Sequence, residues 1–194
     1  MKRNHILAAL LAAAAIPALA QTTGNSVQRN VNQQTRIEQG LQSGQLNTKE
    51  AGRLEREQTV IDRAEARALQ DGKMGPKEQA RITRMQNQAS RDIAREKHDA
   101  QTGNPNSPSY RRMQAAVQRD VNQQTRIERG VQSGQLTNRE VGKLERGQAH
   151  DSRLQARAAA DGRVGPRESV RLQHAENVQS KRIFRQKHDA QKQN

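Results

Sequence analysis

The chain of 194 residues has no cysteine and no tryptophan, and Tyr110 and Phe184 are its only aromatic residues. The absence of cysteine excludes disulfides, thiol chemistry and cysteine-ligated metal sites. From Gln21 onward, only 25 of 174 residues are Leu, Ile, Val or Phe, which is below the roughly 20% at which a charged chain is suspected of disorder. This composition excludes a large conventional core and leaves room for small helical units with narrow apolar seams.

Sequence motifs for catalysis are also lacking. The chain has no H-E-x-x-H motif, no phosphate-cradling glycine-rich loop and no Ser/His/Asp order with supporting motifs. Too few apolar residues are present to line a pocket that would desolvate a catalytic acid or base. We therefore expect a non-enzymatic protein that uses no cofactor.

Residues 1–20 have the pattern of a Sec-type signal peptide. Lys2 and Arg3 give a positive start, residues 6–16 are apolar, and residues 18–20 form an A-x-A cleavage site. The apolar run is shorter than the roughly 18 residues that a membrane span needs. The sequence thus predicts a mature chain that starts at Gln21, is periplasmic or secreted, and has no transmembrane span.

The rest of the chain is one unit written twice. Residues 27–101 align with residues 117–191 without a gap, and 42 of the 75 aligned positions are identical. We interpret residues 21–101 as repeat 1 (copy one), residues 102–110 as a linker rich in Pro, Gly and Ser, and residues 111–194 as repeat 2 (copy two).

Three segments of each copy carry apolar residues at spacings of three, four and seven. These spacings are typical of helices, and no alternating strand pattern is present. The predicted fold is therefore all-α, a tandem duplication of a three-helix unit with long helices and capped glycine turns.

Glycine turns separate the predicted helices. Gly44 and Gly134 suit the left-handed residue that ends a helix. The next helix of each copy then opens with the spacing of a capping box, Asn47 with Glu50 and Thr137 with Glu140. The third helix of each copy opens with a glycine N-cap, a proline and a glutamate: Gly75, Pro76 and Glu78 in copy one, and Gly165, Pro166 and Glu168 in copy two.

The same turns resemble the second half of an EF-hand loop. Residues 43–50 place Gly at loop position six, a hydrophobe at eight and Glu at twelve. The resemblance is to degenerate EF-hand-like helix–loop–helix repeats, in an exported Arg/Gln-rich helical protein of Gram-negative type. Positions one, three and five hold Gln39, Leu41 and Ser43, so the turns are either ordinary capped turns or EF-hand relics without their metal. A functional calcium loop would use the glutamates at position twelve: Glu50, Glu78, Glu140 and Glu168.

A His-Asp pair ends the third helix of each copy, His98-Asp99 in copy one and His188-Asp189 in copy two. A histidine near a helix C-terminus is favoured by the helix dipole. The alternative is a metal site, which would require a homo-oligomer because neighbouring side chains on a helix diverge. This alternative predicts a metal-handling or metal-stress protein.

Basic residues are concentrated in copy two. Residues 21–110 carry 14 basic and 11 acidic groups, whereas residues 111–194 carry 18 and 9. Copy two is thus expected to bind polyanions such as lipopolysaccharide or nucleic acid, or an acidic protein. The candidate binding residues are Arg111, Arg112, Arg119, Lys181, Arg182, Arg185 and Lys187. The alternative is a solvated face on which the interleaved Glu128, Glu140 and Glu145 form salt bridges.

Overall fold

The structure of the chain, a computed structural model, describes residues 18–191 and gives side-chain surroundings for residues 22–191. Over the described residues the fold is all-α, as the apolar spacing predicts. Six helices follow one another: α1 Ala18–Gln42, α2 Thr48–Ala68, α3 Pro76–Lys97, α4 Pro108–Gln132, α5 Asn138–Ala158 and α6 Pro166–Lys187. None of these helices is long and apolar enough to span a bilayer.

Most of the predicted signal peptide lies outside the described residues. Its charged start and apolar segment fall before residue 18, and α1 begins at Ala18 inside the predicted cleavage site. Export and cleavage after Ala20 therefore stay predictions.

The turn before α2 forms as the sequence predicts. Gly44 has a φ of 75°, a left-handed conformation that glycine adopts without steric cost. The Asn47 side chain accepts a hydrogen bond from the backbone N–H of Glu50 at 2.9 Å, and the Glu50 carboxylate accepts from the backbone N–H of Asn47 at 2.8 Å. The same reciprocal pair recurs at the start of α5. Both predicted capping boxes are confirmed, and they fix where α2 and α5 begin.

The predicted linker, residues 102–110, is partly helical. α4 begins at Pro108, and the Ser107 hydroxyl caps it by accepting from the backbone N–H of Tyr110 at 3.2 Å. Tyr110 is 2% exposed. The connection between α3 and α4 is therefore segment 98–107, and Tyr110 belongs to the core.

The apolar side chains form two clusters, and each cluster takes residues from both copies. The first contains Ile37, Leu41, Leu46, Ala51, Leu54, Ile93, Tyr110, Met113, Ala116, Val117, Ala158, Ala159, Val164 and Leu172. The second contains Val27, Ala68, Leu69, Met74, Ile82, Ile127, Val131, Leu136, Val141, Leu144 and Ile183. Neither copy encloses an apolar core of its own, so the two copies interlock in one bundle.

Equivalent positions of the two copies occupy opposite clusters. Ile37 lies in the first cluster and its equivalent Ile127 in the second, whereas Val117 lies in the first and Val27 in the second. This exchange relates the two copies by an approximate twofold symmetry. The duplication thus builds a single body with two apolar ends.

The central helices α2 and α5 cross in antiparallel directions. Gly52, near the start of α2, lies against Ala159, and a Cβ added to Gly52 would be 2.6 Å from the Ala159 Cβ. Gly142, the equivalent residue in α5, lies against Leu69, with a corresponding distance of 2.9 Å. Glycine at these two positions allows the backbones to approach closely. The middle of this helix pair, between the two apolar clusters, carries polar side chains.

Candidate functional site

Charged side chains are divided between the inside and the outside of the bundle. Twelve of the chain's 20 acidic residues are buried, whereas no Lys or Arg among residues 22–191 is buried. The buried acids are Glu38, Glu50, Glu55, Asp62, Glu65, Asp92, Asp120, Glu128, Glu140, Glu145, Asp151 and Glu176. The surface is therefore more cationic than the formal net charge of +14 suggests.

Three of these burials correct an interpretation of the sequence. Glu128, Glu140 and Glu145 are interleaved with basic residues, which favours a solvated face with ion pairs, yet their exposed fractions are only 7%, 0% and 0%. Glu140 closes the cap of α5, and Glu128 accepts from the Gln132 side chain. Because these carboxylates are buried, the interpretation of a solvated face with salt bridges is wrong for all three residues.

Few surface cations of copy two are paired. The described residues form four ion pairs, three of which lie within copy one. The fourth joins Arg119 Nη1 to Glu176 Oε2 at 2.8 Å in copy two. The excess of basic residues in copy two is thus largely unneutralised at the surface.

Two of the seven predicted binding residues hold helices together. Arg112 donates to the backbone carbonyl of Val164 at 3.1 Å, and Arg119 is paired with the buried Glu176. These contacts fasten α4 to the start and the middle of α6. The two side chains are therefore engaged within the bundle.

The other five predicted binding residues lie at two ends of copy two. Arg111 is exposed at the start of α4, and Lys181, Arg182 and Arg185 are exposed in the last turns of α6, with Lys187 partly buried beside them. Since α4 and α6 run in parallel, about 17 helical residues, or roughly 25 Å, separate the two groups. The structure therefore does not unite them in one patch.

A basic groove lies between α2 and α5, where no sequence motif indicates one. Its basic wall is formed by Arg139, Lys143 and Arg146, whose spacing of four and three places them on one helix face. The other lining residues are Ala66, Leu69, Gln70 and Gly142. All three cations are exposed, and they form none of the ion pairs found among the described residues. Such a groove can accept phosphate or carboxylate groups.

At the equivalent positions of copy one, one of the three cations has an acidic partner. They hold Lys49, Arg53 and Arg56 on α2. Arg53 Nη1 lies 3.7 Å from Glu96 Oε2, whereas copy two has Gln186 in place of Glu96. At these positions the two copies therefore carry equal positive charge and differ in one acidic partner.

The glutamates at EF-hand position twelve act as helix caps. Glu78 and Glu168 accept from the backbone N–H groups of Gly75 and Gly165 at 2.9 and 2.7 Å, as Glu50 and Glu140 do in their own turns. One oxygen of each carboxylate is thereby committed to the protein backbone.

The two predicted histidines contact their own helices. His98 Nδ1 lies 2.6 Å from the Ala94 carbonyl oxygen, and His188 Nδ1 lies 2.7 Å from that of Phe184. The His188 ring also stacks on Phe184, with ring centroids 4.2 Å apart. Both histidines are exposed and lie at the C-terminal ends of their helices, where the helix dipole favours a histidine.

One surface cluster brings together two of the alternative metal candidates. Glu50, Glu96 and Asp99 each offer a carboxylate oxygen within 4.8 Å of the others. Arg53 and Arg95 each reach Glu96 at 3.7 Å and compete with any cation there. In copy two, Asp189 has no such cluster among the described residues, because Gln186 replaces Glu96.

The middle of the bundle is filled with carboxyl and carboxamide side chains that the sequence does not single out. Asp62 and Glu65 of α2 and Glu145 of α5 each place a carboxylate oxygen within 4.8 Å of the others. All three residues are at most 2% exposed. We call these residues the carboxylate centre.

Hydrogen bonds from α1 and α3 orient Glu65. Ser26 Oγ and Gln86 Nε2 donate to Glu65 Oε1, and Asn30 Nδ2 donates to Glu65 Oε2 at 2.6 Å. The positions that correspond to these residues by a shift of 90 form what we call the twin half of the bundle. There the acid and amide types are exchanged at three equivalent positions: Asn30 against Asp120, Glu65 against Gln155, and Gln86 against Glu176. There Gln155 Nε2 donates to Asp120 Oδ2 at 2.8 Å. The exchange keeps a donor opposite an acceptor in both halves.

Burial dominates the acid–base behaviour of the carboxylate centre. It raises the pKa of Asp62 well above the usual range, and the nearby Glu145 and Glu65 carboxylates raise it further. It also raises the pKa of Glu145, with Glu65 adding to the effect. The pKa of Glu65 is raised by burial to about 7, against the opposing hydrogen bonds from Ser26 and Asn30. Such closely spaced carboxyl groups must be neutralised by protons or by a cation.

Two features of the described residues therefore have chemistry beyond packing. The basic groove can hold anions at the surface, and the carboxylate centre can hold protons or a cation inside. Comparisons of the chain with protein-family models, with curated proteins and with solved structures find no match.

Proposed function

We propose that this protein is a non-enzymatic binding protein of the periplasm or the extracellular medium, and that it binds polyanions such as lipopolysaccharide or nucleic acid. The observation that carries the proposal is the separation of charge, with 12 of 20 acids buried and no Lys or Arg buried among residues 22–191. Buried carboxylates cannot screen the exposed cations, so a polyanion meets a surface of nearly one sign.

The groove of Arg139, Lys143 and Arg146 is the main contact in this proposal. Three unpaired cations share one face of α5 there, and guanidinium groups can bind phosphate oxygens in pairs. Tyr110 is buried and Phe184 stacks on His188, so the described residues offer little aromatic surface for bases. We therefore expect contacts to the charged backbone of the ligand with little sequence preference.

Matched charge reversals test the proposal on the full mature chain. One variant reverses the groove and the other reverses the equivalent positions of copy one: Arg139→Glu/Lys143→Glu/Arg146→Glu, and Lys49→Glu/Arg53→Glu/Arg56→Glu. Both variants change the net charge equally, so a difference between them reports the groove. Binding to a labelled DNA duplex and to lipopolysaccharide, at about 50 mM salt, is expected to weaken at least tenfold more in the first variant.

The outcomes separate the possible ligands. Equal loss in both variants would mean that net charge alone attracts the ligand. Binding of an acidic protein, with neither polyanion bound, would replace the proposed ligand by carboxylate-bearing partners. No binding of any of these ligands by the wild-type chain would overturn the proposal.

Metal handling is the second candidate function, and the Glu50, Glu96 and Asp99 cluster is the observation that favours it. A metal held there should be lost in the variant Asp99→Asn, whose side chain is exposed. Removal of the imidazoles by His98→Ala and His188→Ala tests the histidine sites in the same titration. Unchanged metal uptake in all three variants would exclude these residues as ligands.

A further inference from the structure

The carboxylate centre is built without a compensating cation from the protein. Asp62, Glu65 and Glu145 are not members of the ion pairs that the described residues form. Three carboxylates within 4.8 Å of one another repel each other strongly where water is excluded. A protein that keeps this arrangement needs a positive charge among the three oxygens, or protons on them.

Two buried oxygen atoms beside the carboxylate centre lack a hydrogen-bond partner. Glu145 Oε1 is buried and has no hydrogen-bond partner in the described part of the chain. Gln124 contacts the same carboxylate through Nε2, which lies 3.3 Å from Glu145 Oε2. The other head-group atom of Gln124, Oε1, is also buried without a partner, and Gln124 is 3% exposed. Buried polar atoms of this kind are normally satisfied. The equivalent Gln34 Oε1 and Glu55 Oε1 also lack a partner in the described part of the chain, so the close approach of three carboxylates is what distinguishes this centre.

The donor set selects a particular class of ion. The three ligands that the carboxylate centre offers are carboxylate oxygens, and hard divalent cations prefer oxygen ligands. Glu65 is held by hydrogen bonds from Ser26, Asn30 and Gln86. Hydrogen bonds of this kind orient the ligands of metal ions in proteins.

The twin half of the bundle distributes its buried acids differently. At the positions equivalent to Asp62 and Glu65, α5 carries Ser152 and Gln155, while Glu55 is the twin of Glu145. These three twin residues are buried like their counterparts. The twin half also buries the carboxyl groups of Asp120 and Glu176, but no three of its acids among the described residues bring carboxylate oxygens within 4.8 Å of one another.

We propose that Asp62, Glu65 and Glu145 bind one hard divalent cation, such as Ca²⁺ or Mn²⁺, inside the bundle. Gln124 supplies a further oxygen ligand, Oε1, when its amide group rotates by about 180° so that Oε1 and Nε2 exchange places. The ion joins α2 of copy one to α5 of copy two and so stabilises the interlocked fold. None of the sequence-predicted metal candidates belongs to this centre, and the proposal is independent of what the outer surface binds.

The test is thermal melting of the mature wild-type chain after EDTA treatment, with and without Ca²⁺, Mg²⁺ or Mn²⁺. Binding to the folded state alone raises the melting temperature, and we expect a rise of about 5 °C with at least one of these ions. Native mass spectrometry is expected to show one ion per chain. No rise with any of the three ions would overturn the proposal.

Substitutions copied from the twin half locate the ion. Asp62→Ser and Glu65→Gln install the residues that α5 already buries, and both should abolish the rise in melting temperature. Glu55→Gln removes one buried carboxylate from the twin half and should keep the full rise. Asp99→Asn, in the surface cluster, should also keep it.

Each other outcome counts against the proposal. A wild-type response that persists in Glu65→Gln and Asp62→Ser, or that disappears in Asp99→Asn, would place the ion elsewhere. If the first two variants fail to fold, the number of Tb³⁺ ions bound per chain decides. Tb³⁺ at the carboxylate centre should occupy one site per chain in both the wild type and Asp99→Asn. A Tb³⁺ site that Asp99→Asn removes would overturn the proposal.

Discussion

The hydroxyl of Tyr110 donates a hydrogen bond to the backbone carbonyl oxygen of Leu46 at 2.8 Å, and it also lies 2.5 Å from the carbonyl of Leu41. Tyr110 opens α4, whereas Leu46 lies in the turn between α1 and α2. One side chain thereby ties the start of α4 to the first turn of copy one. Gly103 leaves space for the ring, since a Cβ there would be 2.2 Å from Tyr110 Cε2.

Tyr110→Phe should lower the free energy of unfolding by about 1–3 kcal/mol, because the buried carbonyl of Leu46 loses its donor while the ring is retained. Urea denaturation followed by circular dichroism measures this change. Phe184→Leu is the control, since Phe184 is 57% exposed and its replacement should cost within about 0.5 kcal/mol. A Tyr110→Phe variant as stable as wild type would contradict the importance of this hydrogen bond.

The two copies should not fold separately, because each apolar cluster contains residues from both. Fragments 21–104 and 105–194 are expected to show weak helicity alone and to regain it when mixed in equal amounts. Circular dichroism with size-exclusion chromatography checks the result. Two fragments that are each monomeric, helical and cooperative in melting would show that each copy has a sufficient core.

The close approach of α2 and α5 can be tested with one methyl group. Gly52→Ala should destabilise the protein by about 1–3 kcal/mol, since the new Cβ would meet Ala159 at 2.6 Å. Gly24→Ala is the matched control in α1, where the nearest side-chain atom, from Val131, is at an ordinary 3.7 Å. That control should be neutral or stabilising by up to about 1 kcal/mol. Equal effects of the two substitutions in urea denaturation would show that no close contact limits the helix pair.

Stability should fall as the pH rises between about 4 and 7. Burial raises the pKa of Asp151 to about 7; the nearby Glu176 raises it as well, and Arg182 opposes the shift. Burial also raises the pKa values of Glu55 and Glu57 to about 7. The folded state then holds protons that the unfolded state has already released, so folding is favoured at the acidic end and this advantage is lost toward the folded pKa.

The measurement is the melting temperature in EDTA at pH 5 and at pH 8, and the value at pH 5 should be several degrees higher. Asp151→Asn removes one of the responsible carboxyl groups and should narrow the difference. A melting temperature that is higher at pH 8 than at pH 5 would mean that the buried acids are ionised without cost.

Local structure could be predicted from the sequence because it depends on neighbours in the chain. The Asn47 and Glu50 cap needs residues only three positions apart, and the helices follow from apolar spacing within single segments. Glu145 shows where such prediction ends. Its neighbours in sequence are basic, which favours a solvated position, yet it is 0% exposed because α2 packs on that face of α5. Burial of a carboxylate is normally costly, so no local pattern indicates it.

The basic groove was equally hidden from the sequence. Arg139, Lys143 and Arg146 have a spacing that predicts a shared helix face, but Ala66 and Leu69 reach them only through the antiparallel packing of α2 on α5. Prediction of the groove therefore requires the pairing of elements from the two copies, which the repeat itself does not specify.

The salt dependence of polyanion binding tests the central claim most directly. Affinity of the full mature chain for a DNA duplex is measured by fluorescence anisotropy between about 50 and 200 mM salt. Because bound cations release counterions from the polymer, the logarithm of the affinity should fall linearly with the logarithm of the salt concentration, with a slope near −0.9 for each phosphate contacted. The groove predicts a slope of about −3, reduced in the Arg139→Glu/Lys143→Glu/Arg146→Glu variant. Absent binding, or an affinity indifferent to salt, would contradict the account.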